Sequence, residues 1–148
     1  LVEYSILLKK RKFRKYWLKK DSEELQGGKM ELKKGLISVI MSNYNTPEEY
    51  LREAIESILN QTYTNFEFII VDDCSTDNSL EIIESYNDPR IVILKNKENM
   101  GLTKSINRAV QIAKGEFLAR MDADDISLPE RFQRQIDYMA EHPSLLVC

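Results

Sequence analysis

The sequence predicts an open, mainly parallel α/β sheet with helices on both faces, and three observations carry that expectation. Four short runs rich in Ile, Val and Phe recur along the chain: "LISVIM" (36–41), "FEFIIV" (66–71), "RIVIL" (90–94) and "EFLARM" (116–121). Segments with helical spacing lie between them. The first three runs are nearly continuous in hydrophobicity, as parallel strands covered on both faces tend to be. Short βα units repeated in this way impose parallel strands with right-handed crossovers.

Taken in order, residues 1–35 read as a basic helical appendage and linker, with helical composition over 1–25 and a break at "QGGKM" (26–30). Residues 36–148 form the main domain. The first helix is expected to open at Thr46-Pro47-Glu48-Glu49, which has capping-box form with Pro at the first helical position. It then places Leu51, Ile55, Ile58 and Leu59 on one face. A second helix is expected from about Asn78 to Tyr86. A third carries Leu102, Ile106, Ala109, Val110 and Ala113 at helical spacing, with Gly115 suited to the position after its end. The fourth has Ser127 and Glu130 in capping-box register, Pro129 in its first turn and Pro143 beyond its end.

Composition narrows the class. At 148 residues and 17.3 kDa the chain holds one ordinary domain with a real core. Hydrophobic and charged fractions of 43% and 30% are those of a water-soluble globular protein. The formal charge of −3 conceals an asymmetry. Residues 1–35 hold 11 of the 21 Lys+Arg and 5 of the 24 Asp+Glu, a net of +6; the other 113 residues hold 10 against 19, a net of −9. The basic residues Lys9–Lys12, Arg14, Lys15, Lys19 and Lys20 interleave with Phe13, Tyr16, Trp17 and Leu18. Such a segment suits an anionic membrane surface, reached through residues 1–20, or a helix docked on the domain or a partner. The acidic domain behind it argues against nucleic acid. The apolar run precedes the basic one and no small-residue cleavage site follows, so the start does not read as a signal peptide. No stretch reaches the roughly 18 apolar residues needed to span a bilayer. Cys74 and Cys148 have no metal-ligand spacing and read as reduced thiols of a cytoplasmic protein, peripheral on the inner face of the membrane if the basic segment binds there.

In open α/β sheets ligands bind beyond the carboxyl ends of the strands. The four predicted strands are followed by Ser42-Asn43-Tyr44-Asn45, by Asp72-Asp73-Cys74-Ser75, by Asn96, Asn99 and Gly101, and by Asp122, Asp124 and Asp125. Four polar exits on one edge predict a polar cleft. If the chain is extended at "DADD", Asp122 and Asp124 point the same way and Asp125 the other. Two such carboxylates suit Mg²⁺ or Mn²⁺, which take one or two carboxylates together with phosphates and water. The plain alternative is a solvated turn before the next helix. Either Asp72 or Asp73 can accept the ring N–H of uracil, thymine or guanine, or cap a local turn, and Tyr44 can stack on a base. No GxxxxGK[ST] or GxGxxG loop is present to cradle phosphates, which raises the need for a cation. His142 is the only imidazole, so no Ser–His–Asp or Cys–His arrangement is available.

The ordered set "ISVIMSNYN", "FEFIIVDDCSTDNS", "NKENMGLTKSIN" and "AKGEFLARMDADDISLPERF", with the later Gln135, resembles the donor half of family 2 glycosyltransferases, which have the Rossmann-like GT-A fold. The resemblance covers about residues 36–147. It implies a nucleotide-diphosphate sugar donor, most often a UDP-sugar, and inverting transfer to the hydroxyl of an acceptor glycan or glycolipid. It further implies that Ser42 and Tyr44 line the nucleoside pocket and that Asp73 bonds the base with Asp72 beside it. Asp122 and Asp124 match the DxD motif, with Asp124 the direct ligand of Mn²⁺ or Mg²⁺ and Asp122 near the ribose or the metal's water shell. In the family the catalytic base belongs to a later acidic motif of the acceptor half. The sequence stops at "SLLVC" (144–148), so base and acceptor half are expected outside it, leaving a fragment that binds donor and metal with little transfer activity. Rival readings are a noncatalytic nucleotide-sugar-binding module, a sugar nucleotidyltransferase, which usually carries a glycine-rich basic loop after its first strand, and a Mg²⁺-binding receiver-type signalling domain. The last needs a phosphoacceptor aspartate on a central strand and a lysine after a late strand, neither of which is evident.

Overall fold

The computed structural model describes residues 7–9 and 32–145. Its strands are β1 (Leu7–Lys9), β2 (Lys33–Asn43), β3 (Phe66–Asp72), β4 (Ile91–Lys95) and β5 (Gly115–Asp122). Its helices are α1 (Glu48–Leu59), α2 (Ser79–Glu84), α3 (Leu102–Ile112) and α4 (Arg131–Glu141). The sheet order is β1-β5-β2-β3-β4. The pairs β5–β2, β2–β3 and β3–β4 are parallel, as the alternation of elements requires. β1 alone runs antiparallel, with Leu7 opposite Ala119 and Lys9 opposite Phe117. The helical expectation for residues 1–25 is therefore corrected at Leu7–Lys9, where an edge of the sheet offers unpaired backbone groups to an apolar run. The rest of that segment, including the basic stretch expected at a membrane surface, lies outside the described residues, as does Cys148.

Helices cover both faces. On one, α1, α2 and α4 bring Leu51, Ile55, Ile58, Ile83, Phe132 and Met139 against Val39, Met41, Phe68 and Ile70. On the other, Ala109 and Ala113 at α3 meet Ile40, Ile69, Val71 and Leu118. Residues of both sets alternate along the apolar runs of β2 and β3, so both faces of those runs are covered, and this explains their nearly continuous hydrophobicity. β4 is only partly buried along its length because it is an edge strand. Each fully buried Ile or Leu contributes about 1.5–3 kcal/mol through area removed from water.

Several local expectations give way to tertiary contacts. β2 starts at Lys33, three residues before the apolar run, and a register shift between Lys33 and Ile37 makes room for Gly35 at φ 72°. Neither predicted capping box forms. α1 follows Pro47 with no side-chain cap, and Glu48 instead pairs with Arg52 at 2.8 Å. α4 starts after Glu130, and the Phe132 N–H donates to Gln61 Oε1 at 3.2 Å from the far end of α1. Gly115 does not terminate α3; it opens β5. A Cβ there would stand 2.6 Å from Leu36 O and 2.7 Å from Ser38 N. Close approach of two backbones, not left-handed φ, is what requires glycine.

Candidate functional site

β2 is the first strand of the parallel set. β3 and β4 extend the sheet on one side of it and β5 extends it on the other, so the strand order reverses between β2 and β5. That reversal parts the loops at the carboxyl edge and leaves a crevice. The crevice here is an open cleft of about 520 Å³, lined by Ser42, Tyr44, Tyr50, Arg120, Asp122 and Asp124 together with Asn45–Pro47, Leu102 and Ala123. Its size is within the range of small-molecule sites, about 300–1,000 Å³. Strand alternation explains the lining. Ile40 and Ser42 share one face of β2, and Leu118, Arg120 and Asp122 share the matching face of β5. The inner members pack beneath α3, and the outer members emerge into the cleft. Tyr44 and Tyr50 are about half exposed at the rim, which leaves their rings available for stacking.

Of the sequence-predicted residues, Ser42, Tyr44, Asp122 and Asp124 come together in this cleft. The premise of an extended chain through "DADD" does not hold. β5 ends at Asp122 and the chain turns, with the Asp125 N–H donating to Asp122 O at 3.4 Å. Asp122 and Asp124 line one cleft because the turn carries Asp124 over it. The Asp122 carboxylate is engaged by Arg120, with Nη2 at 2.7 and 3.0 Å and Nε at 3.1 Å. Asp124 is exposed, and no described donor reaches its carboxylate.

Asp72 and Asp73 are buried at the exit of β3 and do not line the cleft. Asp72 accepts from Asn43 Nδ2 at 3.3 Å and from the Ser75 N–H at 3.2 Å, closing the turn after the strand. Asp73 accepts from Asn96 Nδ2 at 2.6 Å and from the Met100 and Gly101 N–H groups at 2.8 Å each. Asn96 also donates to Ser105 Oγ at 2.8 Å and accepts from Arg108, so the network ties β3 to the loop before α3. Burial pushes the Asp73 carboxyl up, but the hydrogen bonds from Asn96, Met100, Ser105 and Gly101 outweigh it and hold the group below the ordinary aspartate value. With the Ser105 hydroxyl counted, all of the roughly four carboxylate lone-pair sites are engaged within the protein.

The far side of the acid-bearing turn is braced from α1. Gln61 is buried, and its Nε2 donates to Leu128 O at 2.8 Å, Ser127 Oγ at 3.1 Å and Ser57 O at 3.0 Å. Ser57 Oγ accepts the Ser127 N–H at 3.0 Å, and Arg131 Nη2 donates to Arg120 O at 3.0 Å. Sequence reasoning missed Gln61, since a lone Gln between a helix and a strand carries no local sign of its partners. It also missed Arg120 and Tyr50. For Arg120 a usable signal existed: two positions before Asp122 on a strand is the same face.

Among the described residues no three His, Cys, Asp or Glu side chains converge as a metal cage. The donor set fits a different kind of site. Two carboxylates on an open cleft suit Mg²⁺ or Mn²⁺ whose remaining positions are filled by phosphate oxygens and water. Among the described residues no helix is long and apolar enough to cross a membrane.

Comparison with known proteins agrees with this architecture. The sequence profile of glycosyl transferase family 2 matches residues 38–148. A glycosyltransferase of Methanocaldococcus jannaschii is 50% identical over 112 residues, covering 74% of this chain and 39% of that protein. The Escherichia coli UDP-Glc:α-D-GlcNAc-diphosphoundecaprenol β-1,3-glucosyltransferase WfaP is 39% identical over 104 residues, 70% of this chain and 41% of its own length. Among solved structures, S. aureus TarS in complex with UDP superposes with a TM-score of 0.67 at 36% identity, covering 72% of this chain and 32% of that one. The mannosyltransferase PcManGT from Pyrobaculum calidifontis, in complex with GDP-Man and Mn²⁺, superposes with a TM-score of 0.56 at 27% identity, covering 61% and 28%. The chain thus spans less than half the length of these proteins and corresponds to their GT-A-type α/β portion. With its parallel sheet, its cleft at the strand-order reversal and a profile match over most of its length, the chain belongs to glycosyl transferase family 2.

Proposed function

We propose that these residues form the donor-binding half of a metal-dependent glycosyltransferase that moves a sugar from a UDP-sugar to an acceptor hydroxyl with inversion. The observation that carries this reading is the convergence of Ser42, Tyr44, Asp122 and Asp124 on one cleft at the strand-order reversal. Tyr44 offers a ring for the base, and Ser42 a hydroxyl for the nucleoside. As the family resemblance implies, Asp73 accepts the N3–H of uracil in place of one of its present donors, with Asp72 holding the turn beside it. Cytosine has no ring N–H to give and is disfavoured by the same group.

Asp124, with Asp122 beside it, would hold Mn²⁺ or Mg²⁺. That cation supplies neutralisation of the charge that grows on the leaving diphosphate, worth several kcal/mol. In a single displacement the acceptor hydroxyl must lose its proton to a carboxylate. As the family resemblance implies, that carboxylate belongs to the later acidic motif of the acceptor half. The UDP complex of TarS and the UDP-Glc donor and lipid-linked acceptor in the name of WfaP support a UDP-sugar donor and a polysaccharide or glycolipid product. The Mn²⁺ in the PcManGT complex supports the metal. Synthesis on a lipid-linked acceptor also suits a role for the basic stretch after Lys9, within residues 10–20, in holding the protein peripherally on the inner face of the membrane.

A thermal-unfolding panel of UDP, GDP, dTDP and CDP with and without Mn²⁺ tests the reading. UDP at about 100 times its dissociation constant should add about 2.7 kcal/mol of stability, and CDP at the same concentration much less. Equal responses to UDP and CDP would contradict the role given to Asp73. The 148 residues alone should show little or no sugar transfer, and robust transfer would place a base among them.

A further inference from the structure

Arg120 is the one basic side chain lining the cleft among the described residues. Its backbone is fixed: it sits within β5 opposite Ile40, and its carbonyl accepts from Arg131 Nη2 at 3.0 Å. Its guanidinium is about half exposed and, among the described residues, is held by Asp122, through Nη2 at 2.7 and 3.0 Å and Nε at 3.1 Å. The fork of donors that fits a carboxylate fits a phosphate equally well. An ion pair this exposed is weakly held and readily exchanged.

Building on the donor reading above, we propose that Arg120 is a diphosphate-binding side chain, parked on Asp122 while no donor is bound and transferred to the diphosphate when a divalent cation takes its place beside Asp122. The electrostatics favour this exchange. A dication next to Asp122 repels the guanidinium, while the diphosphate that arrives with the cation carries charge to receive it. Because the side chain pivots from a fixed strand, the acceptor it reaches must lie in the same cleft. No glycine-rich loop is present to bind the phosphates in its stead. The exchange moves no proton and breaks no covalent bond.

The proposal predicts effects of opposite sign on two ligands, which a merely structural residue would not produce. Arg120→Gln should weaken UDP binding in the presence of Mn²⁺ by about tenfold or more, the loss of a charged hydrogen-bonding partner. The same substitution should leave uridine binding unchanged and should strengthen binding of Mn²⁺ alone, because Asp122 is freed. Arg120→Lys, which keeps the charge and loses the fork, should fall between wild type and Arg120→Gln for UDP. UDP and uridine are titrated calorimetrically, and Mn²⁺ by loss of the free-ion paramagnetic resonance signal, with folding of each variant confirmed by urea unfolding. UDP affinity unchanged in Arg120→Gln, or uridine and Mn²⁺ weakened along with UDP, would overturn the role of Arg120 alone. Wild-type protein that binds no UDP with Mn²⁺ would overturn both this role and the donor reading.

Discussion

At the exit of β3 the Asp73 carboxylate is 2% exposed and accepts three hydrogen bonds from one neighbouring loop. At the exit of β5 the Asp124 carboxylate is exposed, on a turn over the cleft, and no described donor reaches it. Both acids follow apolar strands, both occur in short acidic clusters, and the sequence alone treats them alike. Their surroundings separate them. The protein's own amides have already taken up most of the charge of Asp73, which makes that residue part of the framework. The charge of Asp124 stands open to the cleft. Asp122 stands between the two cases, satisfied by Arg120 in an ion pair exposed enough to be exchanged.

The contrast can be broken most forcefully at Asp73. Asp73→Ala orphans the Asn96 amide and the Met100 and Gly101 N–H groups, and should cost about 3 kcal/mol of unfolding free energy in urea. A loss as small as the about 0.5 kcal/mol of an ordinary surface change would show that the loop does not depend on it. Gln61→Ala should rank next, at about 2 kcal/mol, because it removes bonds to Ser127 and Leu128 and the acceptor of the Phe132 N–H in the first turn of α4. Since these contacts brace the acid-bearing turn, the same variant should also weaken Mn²⁺-dependent nucleotide binding, whereas Asp73→Ala should weaken nucleotide with or without metal.

A smaller effect is expected from pH. The folded pKa of Asp73 is depressed, so its contribution to stability is fully present above the unfolded value of about 3.9. It is lost as pH falls below that value through the folded pKa. Stability of the wild type should therefore drop more steeply across this acid range than that of Asp73→Ala, as urea midpoints at stepped pH would reveal. Parallel curves would mean that Asp73 titrates normally.

The sequence discloses the sheet far better than the braces behind it. Runs such as "FEFIIV" reveal parallel strands because both faces are covered, and the burial of Phe68 and Ile69 on opposite sides is the physical cause of that pattern. The cleft was legible for the same reason: alternating elements put every strand's carboxyl end on one edge. Caps were misread because the groups that satisfy a helix terminus need not be local. The N–H of Phe132 is met by Gln61, 71 positions away. Helical spacing suits Gly115 to a helix end, yet its requirement comes from the backbone of Leu36 and Ser38, a contact no local pattern encodes. The strand Leu7–Lys9 was hidden likewise, since an edge pairing depends on a partner more than 100 residues away. Spacing placed Asp122 and Asp124 together through an extended chain, whereas a turn does so.

The most direct test of the central claim is calorimetric titration of UDP into wild type and Asp124→Ala, each with and without Mn²⁺. Tight binding is expected only for wild type with Mn²⁺, with Asp124→Ala as stable to urea as wild type but indifferent to the metal. UDP binding of equal strength without Mn²⁺, or an undiminished metal effect in Asp124→Ala, would contradict it.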